Sequence, residues 1–218
     1  MKRPFKPTPL RLRRTFGLFA IVIAVVTAAC ATNPPRTINN VCTLFDERYD
    51  WYLAAKRTQK RWGAPPNVTM AIMYQESRFR AKAKPNRKKY LGFIPGPRPS
   101  SAYGYAQALD GTWAEYKRDV GAPGADRDDF EDAIDFVGWY NQLSKRRNNI
   151  PAHDAYRLYL AYHEGHGGYA RGSYKKKPWL VKVSKKVNRQ SQRYQSQLKT
   201  CQSDLDKWTL RRWVSSVV

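Results

Sequence analysis

The chain has 218 residues, with 40 Lys or Arg against 17 Asp or Glu and a formal net charge of +23. So basic a chain points first to nucleic acid, but its N-terminus, read as an export signal, argues against that partner. Lys2, Arg3, Lys6, Arg11, Arg13 and Arg14 precede a nearly unbroken apolar run from Phe16 to Ala29. The run is shorter than the ~20 residues of a spanning helix and ends in small residues. This is the pattern of a secretory signal peptide over residues 1–29; a permanent N-terminal membrane anchor is the competing reading. Outside the inner membrane the anionic partners are the cell-wall polymer, with carboxylates on its peptides, and membrane head groups.

Thr27-Ala28-Ala29-Cys30 resembles a bacterial lipobox, with Thr27 where leucine is usual. The reading implies lipidation of Cys30, a tether over residues 30–41, and a periplasmic lipoprotein anchored in the outer membrane of a Gram-negative bacterium. Ala29-Cys30-Ala31 also fits ordinary cleavage. Export implies an oxidising compartment, where the two remaining cysteines, Cys42 and Cys201, are expected to pair. That bond would bound a single domain over residues 42–201, leaving a tail at 202–218. The domain stays strongly basic and is of a size for one core.

Thr43 to Trp62 reads as one helix, stopped by Gly63-Ala64-Pro65-Pro66. A second helix carries Ala71 to Phe79, with Asn67 as its expected cap. Residues 81–101 hold prolines, glycines and many Lys and Arg. They predict a long loop or small β excursion, with Tyr90-Leu91-Gly92-Phe93-Ile94 apolar enough to pack or to meet a ligand. Helices follow over Thr112–Val120, Asp128–Lys145 and Asp154–His163, the last ending in glycines. A basic helix over Lys175–Lys199 presents Leu180, Val183, Val187, Tyr194 and Leu198 on one face. Trp208 and Trp213 in the tail are left to pack back or touch a membrane. The pattern is mainly α.

Within the second helix Val68, Ile72, Glu76 and Phe79 fall three or four apart and share a face that is apolar except for Glu76. A carboxylate among apolar side chains has its pKa raised and keeps its proton near neutral pH. A protonated acid is what breaking a glycosidic bond needs, because the leaving oxygen must be protonated. A salt bridge to one of the many basic residues is the plain alternative.

Three separated pieces give Glu76 a context. They are Glu76-Ser77; then Ser101-Ala102-Tyr103-Gly104-Tyr105-Ala106-Gln107, followed by Thr112-Trp113; then Leu160-Ala161-Tyr162-His163-Glu164-Gly165-His166-Gly167. In this order they resemble the soluble lytic transglycosylase family of the lysozyme superfamily, over about Asn67 to Gly168. That family has Glu-Ser at a helix end, then Gly-Leu-Met-Gln, then Ala-Tyr-Asn-Ala-Gly. The chain departs from it at Tyr105-Ala106, at Asp110, which stands near the family's proline, and at His163-Glu164. Its segment from Ala83 to Pro99 is also longer than the family's connection.

The resemblance implies a lysozyme-like α-helical fold and a peptidoglycan substrate, cut at the β-1,4 bond from N-acetylmuramic acid to N-acetylglucosamine. It implies Glu76 as acid and then base, with no second carboxylate, no cofactor and no metal. Ser77 and Gln107 would hydrogen-bond the N-acetyl group or nearby sugar, and Tyr162 would position Glu76 or the charged intermediate. Gly104 would let backbone approach the glycan. His163 joins the substrate-binding set at the family's asparagine. Tyr103, Tyr105 and Trp113 are set either to stack on sugar rings or to pack in the core.

Three rivals share these residues. A muramidase using water would take Asp110, Glu164 or one of Asp126, Asp128 and Asp129 as base. A zinc site would use His163-Glu164-Gly165-His166, although the histidines are i and i+3 rather than i and i+4, with only His153 left as another. A wall-binding lipoprotein without catalysis would keep the fold alone.

Overall fold

The structure is a computed structural model and describes residues 34–87, 89–91 and 93–217. The signal peptide and Cys30 lie outside the described residues. Among these residues the chain forms seven α-helices and one two-stranded hairpin, and Pro34–Val218 make one compact unit. This is the mainly α, lysozyme-like architecture. No helix among the described residues is long and apolar enough to cross a membrane.

Helix α1 (Val41–Glu47) starts where the Asn40 side chain accepts from the amides of Cys42 and Thr43. The single helix expected from Thr43 to Trp62 is two helices, because Arg48 leaves helical geometry (φ −131°, ψ 72°) and α2 (Tyr49–Trp62) follows. The bend brings Phe45 onto the edge of Tyr52, with ring centroids 5.2 Å apart. Gly63, at φ 67°, ends α2.

Helix α3 (Pro66–Ser77) begins with proline at its first position, so Asn67 is not its cap. The Asn67 amide instead donates to Ser191 Oγ at 2.9 Å. Val68 to Met73 are all buried, because α3 runs through the middle of the unit and touches α2, α5, α6 and α7. The excursion after α3 is a hairpin of β1 (Lys89–Tyr90) and β2 (Ile94–Pro95), antiparallel with Tyr90 opposite Ile94.

Helix α4 (Asp110–Val120) and α5 (Phe130–Asn148) follow, the latter capped by the Asp129 carboxylate accepting from the Asp132 amide. On α5, Gly138 gives α2 its close approach: a Cβ there would lie 2.4 Å from Thr58 Cγ2. Helix α6 (Ala155–Ala170) does not stop at its glycines. It kinks at Gly165 (φ 72°, ψ 159°) and resumes. A short 3-10 turn (Ser173–Lys176) leads to α7 (Pro178–Val217), which starts at its proline and continues through what the sequence sets apart as a tail. Residues 202–217 contain neither proline nor glycine, so nothing local ends the helix. Leu180, Val187, Tyr194, Leu198 and Leu205 bury one face of α7, which packs on α1, α3 and α6.

Cys42 and Cys201 form a disulfide, Cα–Cα 6.0 Å, across 159 residues of chain. Around it Tyr49 donates to the Leu205 carbonyl at 2.9 Å and Tyr52 to Asp206 Oδ1 at 2.5 Å. Closing so long a loop is worth about 5 kcal/mol in the chain-entropy model. Cys42→Ser is therefore expected to lower the unfolding free energy of the oxidised protein by about 2–5 kcal/mol in denaturant titration. Reductant should reproduce that loss in the parent and leave the variant unchanged.

Candidate active site

Glu76 stands in the last turn of α3, whose register is fixed by burial along most of its length. The helix ends directly afterwards. Arg78 and Phe79 follow with φ 52° and 58°, two consecutive side-chain-bearing residues in the left-handed region. Each costs about 1–3 kcal/mol and persists only where surroundings hold it. The Phe79 ring is buried on Trp51, 5.7 Å between centroids, and Arg80 donates from its amide and its Nε to the Ser77 carbonyl at 3.2 and 3.0 Å. Phe79 therefore lies beyond the helix and not on the Glu76 face that periodicity predicts.

Burial pushes the Glu76 carboxyl up from 4.5 to about 7, and a hydrogen bond from the Tyr159 hydroxyl draws it partly back. Tyr159 and Tyr162 sit three apart on α6, so both phenols reach one place. Burial raises both phenols, and the nearby Glu76 charge adds to each shift. Tyr162 donates to the Ala106 carbonyl at 2.6 Å, which ties α6 to the second motif. Sequence reasoning selected Tyr162 and missed Tyr159; the i, i+3 spacing was the available signal.

The second motif is a tight turn closed by a bridge between Tyr103 and Ala108. Gly104, at φ 79°, admits protein backbone and not glycan: a Cβ there would lie 1.9 Å from the Arg127 carbonyl oxygen. Gln107 adopts φ 49°, and its side-chain amide donates to the carbonyls of Ala83 and Gly104, both at 2.9 Å. Its NH₂ is spent on holding the turn to the base of the hairpin excursion. Arg127, absent from the sequence-based set, is the hub: it donates to the Ser101 and Ala108 carbonyls at 3.1 and 2.9 Å and pairs with Asp110 at 2.8 Å.

The candidate stacking residues divide. Tyr105 is buried among Trp51 and Phe130, and Trp113 among Tyr116 and Phe136, so both are core. Tyr103 is half-buried, with its hydroxyl donating to Asp128 at 3.0 Å and its ring flanked by Lys84 and Arg127. Ser77 is buried and its hydroxyl donates back to the Met73 carbonyl at 3.4 Å.

In the third motif His163 rests its ring edge against Trp179, centroids 5.1 Å apart, with Nδ1 3.2 Å from Glu164. Burial alone would raise the Glu164 pKa, but hydrogen bonds from Lys177, Ser173 and His163 prevail and hold it at about 2. Glu164 so fastens the kinked part of α6 to the turn before α7. His166 points elsewhere, stacked on Tyr140 with Nε2 3.0 Å from Ser144 Oγ. Among the described residues no three His, Cys, Asp or Glu converge as a metal-ligand group.

The helical unit is lysozyme-like and carries a half-buried acid at the end of its central helix, with two tyrosines beside it. The transglycosylase SLT domain family matches residues 18–201, and the chain belongs to it. Its members are transglycosylase-type enzymes acting on the glycan strand of peptidoglycan. No curated protein sequence matches the chain.

The raised Glu76 pKa has a cost in stability. The native state holds this proton more tightly than the unfolded state, so stability is full below about pH 4.5. It falls as pH rises to about 7, by about 3 kcal/mol in total. Glu76→Gln removes that dependence. Its melting temperature should exceed the parent's at about pH 8 and match it at about pH 4.

Proposed function

We propose that the chain is a lytic transglycosylase that uses Glu76 as its one acid and base. The observation that carries this is the Glu76 carboxyl, half-buried beside the α6 tyrosines, where desolvation raises its pKa to about 7. Glu76 donates its proton to the glycosidic oxygen as the bond from C1 of N-acetylmuramic acid breaks. The carbonyl oxygen of the sugar's N-acetyl group stabilises the positive charge at C1. The Glu76 carboxylate then takes the proton of the C6 hydroxyl, whose oxygen bonds C1 and closes the 1,6-anhydro ring. Glu76 ends protonated and no water is consumed. Tyr159 holds the carboxylate in place between the two steps.

Four of the five carboxylates considered as a hydrolytic base are engaged elsewhere, which supports the one-acid reading. Asp110 pairs with Arg127, Asp128 accepts from Tyr103, Asp129 caps α5 and Glu164 is bound by Lys177. Asp126 lies on the Arg127 turn and donates its amide to Asp132 at 2.8 Å. Digestion of purified cell walls is expected to give muropeptides with 1,6-anhydro ends, one water lighter than hydrolysis products. Glu76→Gln should reduce their release by about 10³-fold or more. Products carrying the extra water would instead favour a muramidase, and full activity of the variant would remove both enzyme readings.

The pH dependence follows from the same proton. The first step needs protonated Glu76, so kcat/KM should decline as pH rises through about 7. Tyr159→Phe removes the hydrogen bond that favours the carboxylate, so the declining limb should move to higher pH. A limb that stays in place would separate Tyr159 from the acid.

The export pattern at the N-terminus supports action in the periplasm, with Cys30 lipidated and held at the outer membrane. Under this reading Cys30→Ala shifts the protein from the membrane fraction to the soluble periplasmic fraction and abolishes labelling by a fatty-acid probe. Unchanged fractionation and labelling would exclude the anchor.

A further inference from the structure

Among the described residues, no hydrogen bond joins the hairpin of β1 and β2 to Glu76, Tyr159 or Tyr162. Its tip exposes Tyr90 by 57%, Leu91 by 83%, Phe93 by 73% and Ile94 by 44%. Four large apolar side chains displayed together, where the other described aromatic residues are mostly packed, mark an interaction surface. The hairpin is held in shape by the pairing of Tyr90 with Ile94 and by the Phe93 amide donating to the Tyr90 carbonyl at 3.2 Å. At its base Arg98 donates to the Pro85 carbonyl at 2.5 Å, so the arms do not splay. Little ordering is left to be done on binding.

The charge around this tip has one sign. Residues 80–101 include seven Lys or Arg and no Asp or Glu. Lys82 and Arg87 are exposed on the arm leading to the tip. An apolar tip above a basic arm fits the boundary of an anionic bilayer, where rings and aliphatic chains enter the head-group region and cations stay at its surface. A glycan fits it less well. Between Tyr90 and Pro97 the only side-chain hydrogen-bonding group is the Tyr90 hydroxyl, and Leu91 and Ile94 have no flat face for a sugar ring.

We propose that the Tyr90–Ile94 hairpin is a membrane-interface element that seats the domain on anionic phospholipid. It is separate from any lipid on Cys30 and does not depend on the role of Glu76. Together the two would give a second attachment point, setting which side of the domain faces the bilayer.

The test uses residues 34–218, one compact unit that holds the packed core of the described residues and the disulfide that closes it. This domain is sedimented with vesicles of phosphatidylcholine alone or with about one-third phosphatidylglycerol at about 0.1 M salt. Binding to the anionic vesicles should be at least ~10-fold stronger and should weaken as salt is raised. Leu91→Ser/Phe93→Ser should lower it a further ~10-fold. Both side chains are exposed, so the fold should survive, as circular dichroism would check. Binding that is absent, equal on the two vesicle types, or unchanged in the double variant overturns the proposal. So does a double variant that leaves vesicles unaffected but loses purified cell walls, which would assign the tip to glycan.

Discussion

The constraint on which the candidate site depends is the desolvation of one carboxyl group, that of Glu76. Glu76 is raised to about 7 because α3 runs through the centre of the unit and carries the acid among packed side chains. A surface glutamate on the same helix would lose its proton about two pH units earlier. The position is costly for folding, since the ionised form opposes the native state. The structure bears that cost with an extensive aromatic core, a disulfide across 159 residues and a long closing helix.

The three sequence motifs act as one mechanical unit more than as three sets of ligands. Gln107 fixes the second motif to Ala83, Arg127 locks it from the far side, and Tyr162 bonds its Ala106 carbonyl to α6. Tyr162, one of the two phenols beside Glu76, is thereby held against this turn. Two of the residues at which the motifs differ from the pattern they resemble have structural roles. Tyr105 packs nearly perpendicular to the stacked pair of Trp51 and Phe130. Glu164 is the acid that fastens α6 to the turn before α7, through Lys177 and Ser173.

Much of this was legible in the sequence for physical reasons. The helices over Asp128–Lys145 and Lys175–Lys199 announced themselves by apolar periodicity and charge, and Glu76 by being the one acid on an apolar face. The motifs were readable through the family they resemble. The break at Arg48 was not, because no proline or glycine marks it; the packing of Phe45 on Tyr52 makes it. Gly104 showed that something approaches closely but not what, and the partner is Arg127 backbone. Arg127 itself was one basic residue among forty in the sequence. Its role exists only once the turn brings the carbonyls of Ser101 and Ala108 together.

The central claim is that Glu76 keeps its proton near neutral pH in the folded domain. The most direct measurement is an NMR titration of its side-chain carboxyl carbon in glutamate-labelled protein, assigned by comparison with Glu76→Gln. A midpoint near 7 is predicted. A midpoint near 4.5, the ordinary value for a solvated glutamate, would contradict the account.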